Sequence, residues 1–182
     1  MTSLEEAYLP YCAIPCAGIR TIAANISIAI FDVDGVLTDG TVYSGTETGQ
    51  MLAFHIHDGK GLRMLIESGI TVAWATARGG KAVACRAREL GVEMVIDGCQ
   101  DKADAVRQIA DECGHGPSAC AYTGDDLIDI GALRLAGLGV AVADAHPQVV
   151  ACADWVTQRP GGRGAVRELA ELILFSQNRL RS

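Results

Sequence analysis

The stretch IFDVDGVLTDG, residues 30–40, places two aspartates between an apolar run and a glycine. The run SIAIF at residues 27–31 has the length and the small or β-branched side chains of a buried strand. Asp32 and Asp34 are two positions apart, so their carboxyl groups lie on one side of an extended chain. Oxygen ligands of this kind suit Mg²⁺, although a solvated Asp-Gly turn explains the motif equally well when it stands alone.

Further apolar runs of strand length follow along the chain, at residues 70–75, 93–96, 119–122 and 138–143, with a short sixth run at 154–157. Helical patterns separate them, at residues 61–68, 81–90, 102–113, 127–136 and 147–153. Such alternation predicts an α/β fold, a Rossmann-like parallel sheet with helices on both faces. Ligands then bind at the carboxyl ends of the strands.

Two regions depart from this alternation. Residues 41–57 predict two strands around a turn, a β-hairpin inserted directly after the first strand. A two-stranded ribbon cannot cover its own apolar side chains, so we expect it to pack against another subunit. Near the end, RPGGRG at residues 159–164 predicts a loop, and residues 165–180 predict an amphipathic helix. We therefore expect an N-terminal extension over residues 1–25 and a single domain over 26–182.

The composition limits the classes of function. The chain has 182 residues, of which 49% are apolar and 20% charged, enough for one compact domain. A net charge of -7 argues against a general nucleic-acid or anionic-membrane surface, and no apolar run reaches membrane-spanning length. Seven scattered cysteines without a CxxC pair predict reduced thiols. The acidic N-terminus does not match a signal peptide, so we expect a cytoplasmic location.

Polar residues also follow the later strands of the predicted sheet. TGDDLID at residues 123–129 follows the fourth apolar run, so Asp125 can approach the same ion as Asp32 and Asp34. Thr76 follows the second run, where a hydroxyl and helix-terminal N–H groups can cradle a phosphate. Lys102, one of only three lysines, follows the third run, where its charge can meet phosphate. This combination is much more specific than any one motif.

The sequence resembles the haloacid dehalogenase superfamily of aspartate-nucleophile phosphatases, and within it the 3-deoxy-D-manno-octulosonate 8-phosphate phosphatases. The motifs IFDVDGVLTDG, YTGDDLID, VAVADAHP and GGRGAVRE carry the resemblance, which runs from about residue 26 to 180. The resemblance implies a capless core and a Mg²⁺-dependent phosphoric monoester hydrolase. The implied reaction releases phosphate from 3-deoxy-D-manno-octulosonate 8-phosphate in lipopolysaccharide precursor synthesis.

The resemblance also implies catalytic roles. Asp32 would be the nucleophile that forms an aspartyl-phosphate, and Asp34 the general acid and then the general base. The side chains of Asp32 and Asp125, with the backbone carbonyl of Asp34, would hold Mg²⁺. Thr76 and Lys102 would bind phosphate oxygens. Asp126 and Asp129 are implied to hold these groups in place without contacting the metal ion or the substrate themselves.

Substrate recognition is implied by position as well, and a homotetramer is implied in which a neighbouring subunit completes the site. The candidate contacts for a phosphorylated sugar acid are Asp34, His55, Ile56, His57, Asp58, Gly59, Arg63, Arg78, Arg86 and Lys102. Arg163 is a candidate to reach across from a neighbour. For each arginine the alternative is an ordinary charge on a helix surface. Two positions depart from the family pattern, Ala77 where glycine is common and His57 where arginine is frequent.

Two other functions are compatible with the pattern. The first is a phosphatase for a nine-carbon ketoacid phosphate of the sialic acid type. The second is a non-catalytic tetrameric assembly module of the same fold, in which the acids are vestigial. Complete retention of the acidic and lysine residues argues against the second.

Overall fold

The computed structural model describes residues 15–45 and 49–180 of the chain. Six strands form one sheet: β1 Ile28–Phe31, β4 Thr71–Thr76, β5 Met94–Asp97, β6 Cys120–Gly124, β7 Leu138–Ala141 and β8 Trp155–Val156. Their order across the sheet is β5-β4-β1-β6-β7-β8, and every neighbouring pair is parallel. The predicted parallel α/β sheet is confirmed, and so is its short sixth strand.

Helices cover both faces of this sheet. They are α1 Ala17–Ala23, α2 Ile56–Glu67, α3 Lys81–Leu90, α4 Lys102–Glu112, α5 Ile130–Leu135, α6 Pro147–Val150 and α7 Ala165–Ser176. Two short 3₁₀ turns lie at Pro117–Ala119 and Leu127–Asp129. Helix α2 packs along α7, and α4 packs against α5. Because both sheet faces are covered, every residue of β1 is buried.

The predicted hairpin is present, but its second strand is shorter than expected. Strands β2 Tyr43–Gly45 and β3 Gly49–Met51 pair antiparallel. The prediction that the hairpin extends to residue 57 is wrong, because α2 already begins at Ile56. The apolar residues that precede the helix, Leu52 and Phe54, alternate in the way that is typical of a strand. The His55 side chain caps the helix by accepting a hydrogen bond from the His57 backbone N–H at 3.3 Å.

The C-terminal helix is also shorter than predicted. Helix α7 ends at Ser176 rather than at residue 180, and Asn178 adopts a left-handed φ of 55° just beyond it. The Gln177 side chain donates a 2.7 Å hydrogen bond to the Ile26 carbonyl, which ties the helix end to the start of β1. In the described part of the chain, no helix combines the length and the apolar content that crossing a bilayer requires.

Helices α2 and α7 approach each other closely at Gly61. A Cβ atom at this position would lie 2.9 Å from Arg167 Cα and 3.2 Å from Ala170 Cβ. We expect Gly61→Ala to lower the free energy of unfolding by about 1–2 kcal/mol, because overpacking outweighs the gain in helix propensity. Urea denaturation measures this, with Lys60→Ala on the exposed side of the same helix as the control. A more stable Gly61→Ala protein would show that α7 can move away freely.

Candidate active site

Four adjacent strands, β5, β4, β1 and β6, deliver the candidate site residues to one edge of the sheet. Phe31 on β1 pairs with Trp74 on β4 and with Thr123 on β6, so the chain segments that follow these strands emerge together. The Asp32 backbone N–H donates a 3.0 Å hydrogen bond to the Thr123 carbonyl, which extends this register by one residue. The central position of β1 therefore places Asp32 between the loops that follow β4 and β6.

Asp32 makes a buried ion pair with Lys102. The Lys102 Nζ lies 2.7 Å from Asp32 Oδ1 and also donates to the Ala75 carbonyl. The Lys102 side chain is fully buried, although it belongs to the first residue of α4. The Cys99 N–H donates to the Thr76 carbonyl at 2.9 Å and holds the loop before α4 against β4. The ammonium group is thus fixed beside the carboxylate.

Three carboxylates cluster at this point. Oxygen atoms of Asp32, Asp125 and Asp129 lie within 4.8 Å of one another. Burial raises the pKa of Asp32 to about 6 and that of Asp125 to about 8, and the neighbouring charge of Asp129 adds to both shifts. Among the described residues, this cluster of three carboxylates contains one ion pair, between Asp32 and Lys102.

Asp129 has a different environment from the other two acids. It accepts hydrogen bonds from the Tyr122 hydroxyl at 2.6 Å and from the backbone N–H groups of Asp125 and Asp126 at 3.0 and 3.1 Å. These contacts shape the loop after β6 and orient Asp125 towards Asp32. Asp126 itself accepts from the Leu127 N–H at 2.7 Å and caps the following 3₁₀ turn.

The free oxygen atoms of this cluster fit a divalent cation. Asp34 Oδ1 and Asp125 Oδ1 are both buried and have no hydrogen-bond partner among the described residues. Uncompensated carboxylate oxygens are the hard ligands that Mg²⁺ prefers. Gly35 allows the loops to approach, because its φ is +88° and a Cβ atom there would lie 2.1 Å from Asp125 Oδ2. The side chains of Asp32 and Asp125 could hold the ion, with the backbone carbonyl of Asp34 as the third expected ligand.

This excess of negative charge predicts a metal-dependent stability. Since the pKa of Asp125 is raised from 3.8 to about 8, its contribution to stability is complete below pH 3.8 and is lost as pH rises towards 8. We expect Asp125→Asn to raise the Tm of the metal-free protein at pH 8 by about 2–4 °C. We also expect Mg²⁺ to raise the Tm of the wild-type protein but not that of the Asp125→Asn protein.

Differential scanning calorimetry at pH 6 and pH 8, with and without Mg²⁺, measures both effects. The control is Asp111→Asn, which removes an exposed carboxylate from α4. An undiminished Mg²⁺ response in the Asp125→Asn protein would show that the ion binds elsewhere.

Thr76 and Arg78 form the adjoining wall of the site. The Thr76 hydroxyl accepts from the Arg78 N–H at 3.1 Å and donates to the Arg78 carbonyl at 2.9 Å. It therefore shapes the turn after β4. The Arg78 Nε lies 3.9 Å from Asp34 Oδ2, and about half of the arginine side chain is exposed. This leaves a cation at the entrance, within reach of an incoming anion.

The other candidate cations line a cavity between α2 and α3. The cavity has a volume of about 390 Å³ and its lining includes Gly59, Arg63 and Arg86. Arg63 lies 3.6 Å from Glu67, and Arg86 lies 2.8 Å from Glu89, so both cations already have acidic neighbours. The Arg86 guanidinium also lies over the ring of Phe54, 5.9 Å from its centre. Ile56 is 75% exposed beside this cavity.

Asp58 and Arg163 have partners within the chain. Asp58 is buried and accepts hydrogen bonds from the Gly164 and Arg167 N–H groups at 3.1 and 2.9 Å, at the start of α7. Burial raises the pKa of its carboxyl group. The Arg163 guanidinium donates to Asp39 at 2.9 Å. The rings of His55 and His57 meet edge to face, with their centres 5.0 Å apart.

One part of the site was not anticipated from the sequence. Residues 158–164 lie against the turn that carries Asp34, and the Gly162 N–H donates to the Val36 carbonyl at 2.8 Å. A Cβ atom at Gly161 would lie 1.7 Å from the Gly35 carbonyl oxygen. The two consecutive glycines were the available signal, because close backbone approach requires this residue type.

Comparisons with known proteins agree with this geometry. Residues 93–169 match the family described as haloacid dehalogenase-like hydrolase. The 3-deoxy-D-manno-octulosonate 8-phosphate phosphatase KdsC of Yersinia pestis is 44% identical over 177 residues, which cover 97% of this chain and 95% of the relative.

Solved structures of similar proteins superpose closely. The crystal structure of the phosphatase from Yersinia pestis has a TM-score of 0.88 at 44% identity and covers 90% of this chain and 89% of that chain. The phosphatase from Moraxella catarrhalis, solved with magnesium ion, phosphate ion and KDO, has a TM-score of 0.88 at 41% identity. It covers 90% of this chain and 94% of that chain.

Proposed function

The chain belongs to the 3-deoxy-D-manno-octulosonate 8-phosphate phosphatases among the haloacid dehalogenase-like hydrolases, and from this premise we propose how its residues carry the reaction. It is a phosphoric monoester hydrolase that converts 3-deoxy-D-manno-octulosonate 8-phosphate into the free sugar acid and phosphate, a step of lipopolysaccharide precursor synthesis. The observation that carries the proposal is the buried Asp32–Lys102 pair within the acidic cluster.

The first step is attack by Asp32 on phosphorus. A carboxylate oxygen forms a bond to phosphorus while the bond between phosphorus and the sugar oxygen breaks, which leaves an aspartyl-phosphate. Lys102 holds Asp32 Oδ1 at 2.7 Å and fixes the direction of attack. The ammonium also offsets the charge that gathers on the phosphoryl oxygens. Thr76 closes the same edge of the sheet and shapes the loop that receives the phosphate.

Asp34 moves protons in both steps. Its carboxyl group donates a proton to the departing sugar oxygen and later accepts one from the water that hydrolyses the aspartyl-phosphate. Arg78, 3.9 Å away, lies beside it at the entrance. The side chains of Asp32 and Asp125 and the backbone carbonyl of Asp34 would hold Mg²⁺, which would supply positive charge to screen the nucleophile from the phosphate. Asp129 and Asp126 keep the Asp125 loop in place.

The sugar acid is selected by local cations, since the whole chain is acidic. Arg78 at the entrance and Arg63 and Arg86 in the cavity between α2 and α3 are the proposed carboxylate and hydroxyl contacts. The proposed contacts from the start of α2 are His55, Ile56, His57 and Gly59. Asp58 is 1% exposed and accepts from the Gly164 and Arg167 N–H groups, so it holds this segment in place and does not meet the substrate. Displacement of Glu67 and Glu89 would free both cavity arginines for the substrate.

A homotetramer is proposed to complete the site. Tyr43 and Met51 on the hairpin are 56% and 60% exposed, and Ile56 follows them at the start of α2. Large apolar side chains grouped in this way favour contact with a second copy of the chain. Light scattering in solution tests this. We expect the mass of four chains, and a monomeric mass would overturn the assembly.

A cytoplasmic location is proposed as well. The support is the state of the cysteines: Cys16, Cys85, Cys99, Cys113, Cys120 and Cys152 are all free thiols in the described residues. Cys12 lies outside those residues.

A panel of sugar phosphates tests the substrate. Phosphate release with Mg²⁺ is compared between the eight-carbon ketoacid phosphate and a nine-carbon ketoacid phosphate of the sialic acid type. We expect kcat/KM to favour the eight-carbon compound by at least about tenfold, because the site must reject extra hydroxylated carbon. The reverse preference would assign the nine-carbon substrate. No release from either compound would overturn the phosphatase assignment.

A further inference from the structure

Residues 158–164, which we term the strap, have all of their backbone N–H groups occupied. Glu168 accepts from Gln158 at 3.0 Å and from Arg159 at 3.1 Å. The remaining acceptors are Asp144 for Gly161, the Val36 carbonyl for Gly162, the Pro160 carbonyl for Arg163 and Asp58 for Gly164. Proline has no N–H group. The strap is therefore pinned along its whole length, despite three glycines.

These contacts leave no backbone N–H group of the strap free to bind the phosphate. A glycine-rich loop before a helix N-terminus commonly cradles an anion. Here the start of α7 already holds the carboxylate of Asp58, and Glu168 takes the N–H groups at the other end of the strap. The protein's own acids occupy the positions that a phosphate would take.

The strap instead supports the turn that carries Asp34. Gly161 packs directly against the Gly35 carbonyl, and the Gly162 N–H bonds to the Val36 carbonyl at 2.8 Å. The turn also has contacts of its own, because the Leu37 and Thr38 N–H groups both donate to the Val33 carbonyl at 3.0 Å, and Arg78 lies 3.9 Å from the Asp34 carboxylate. Movement of the strap would therefore be transmitted to Asp34.

Glu168 holds the end of the strap that precedes the glycines, through the Gln158 and Arg159 N–H groups. Its side chain is 1% exposed, and burial raises the pKa of its carboxyl group. We propose that Glu168 is a positioning residue, which locks the strap against the Asp34 turn and so aligns Asp34 with the departing sugar oxygen. This proposal rests on the proposed function, in which Asp34 is the general acid. It assigns a role in proton transfer to a residue that contacts neither substrate nor metal.

Dependence on the leaving group tests the proposal. An alkyl sugar phosphate needs a proton on its departing oxygen, whereas p-nitrophenyl phosphate releases a stable phenolate that does not. We expect Glu168→Gln, which keeps the shape but leaves one acceptor oxygen for two N–H groups, to lower kcat/KM about tenfold for the sugar phosphate. For the aryl phosphate the loss is expected to stay within about twofold.

Glu171→Gln is the matched control. It removes a buried carboxylate from the same helix, but Glu171 pairs with the Arg167 side chain and does not touch the strap. With this variant, kcat/KM should fall only slightly, and by the same factor for the two esters. Thr157→Val is a milder second variant, because it removes the 2.6 Å hydrogen bond from the Thr157 hydroxyl to the Arg159 carbonyl. If Glu168→Gln does not fold, Thr157→Val should still lower kcat/KM for the sugar phosphate about threefold more than for the aryl phosphate.

The outcomes distinguish failure of the positioning role from failure of the phosphatase function. In one outcome, the wild-type enzyme is active while kcat/KM of the Glu168→Gln and Thr157→Val variants falls equally for both esters. That result would show that the strap supports only the fold, and it would overturn the positioning role alone. A wild-type protein that hydrolyses neither ester would overturn the phosphatase function, and the positioning role with it.

Discussion

Replacing Asp32 by Asn is expected to lower kcat for phosphate release by at least about 10⁴-fold, since removing a nucleophile removes the covalent route. The amide still fits beside Lys102, so the fold is expected to survive and the loss to be chemical. Wild-type protein quenched during turnover should carry a phosphoryl group on the peptide that contains Asp32, and the Asp32→Asn protein should carry none.

Asp104→Asn is the matched control for this change. It removes an exposed carboxylate on α4, two residues after Lys102, whose partner is Arg107 at the protein surface. Its kcat should equal that of the wild type. Equal rates of phosphate release by the Asp32→Asn protein would reject Asp32 as the nucleophile.

Replacing Lys102 by Met is expected to cost both activity and stability. The ammonium is the single cation that the structure places against Asp32 among the described residues. Its loss should lower kcat by about 10²–10³-fold, in line with the removal of one electrostatic contact to the transition state. It should also lower the free energy of unfolding by about 3 kcal/mol, because a buried carboxylate is left unpaired.

A double-mutant cycle separates these two costs. The Asp32→Asn, Lys102→Met double variant has no unpaired charge, so it should be more stable than Lys102→Met alone. The control is Lys81→Met, which changes an exposed lysine at the start of α3 and should change neither quantity. A fully stable Lys102→Met protein would mean that Asp32 is protonated in the folded state.

The arrangement of the catalytic edge follows from local sequence. Apolar runs of strand length predict a parallel sheet, and a parallel sheet brings every carboxyl end to one edge. That rule alone places Asp32, Thr76, Lys102 and Asp125 near one another, as the structure does. Catalytic residues at the ends of strands can therefore be predicted from their positions in the sequence pattern.

Other features depend on contacts between distant segments, which periodicity cannot reveal. The start of α2 was predicted as strand because Phe54 and Ile56 alternate with polar residues, whereas burial of Asp58 and Gly61 against α7 decides for helix. The strap looked like an ordinary loop, because its acceptors lie on four other segments.

The strand order has one more consequence, for the way the enzyme fails on heating. Asp32 and Asp125 follow β1 and β6, and Thr76 ends β4; all three strands lie in the interior of the sheet, while β5 and β8 form the borders. Borders and ribbons open first in native proteins, and interior strands exchange their amide protons only through global opening. The enzyme should therefore stay active while the edge strands open locally, and lose activity only when the whole domain unfolds. The activity that remains at a given temperature then measures the fraction of native protein.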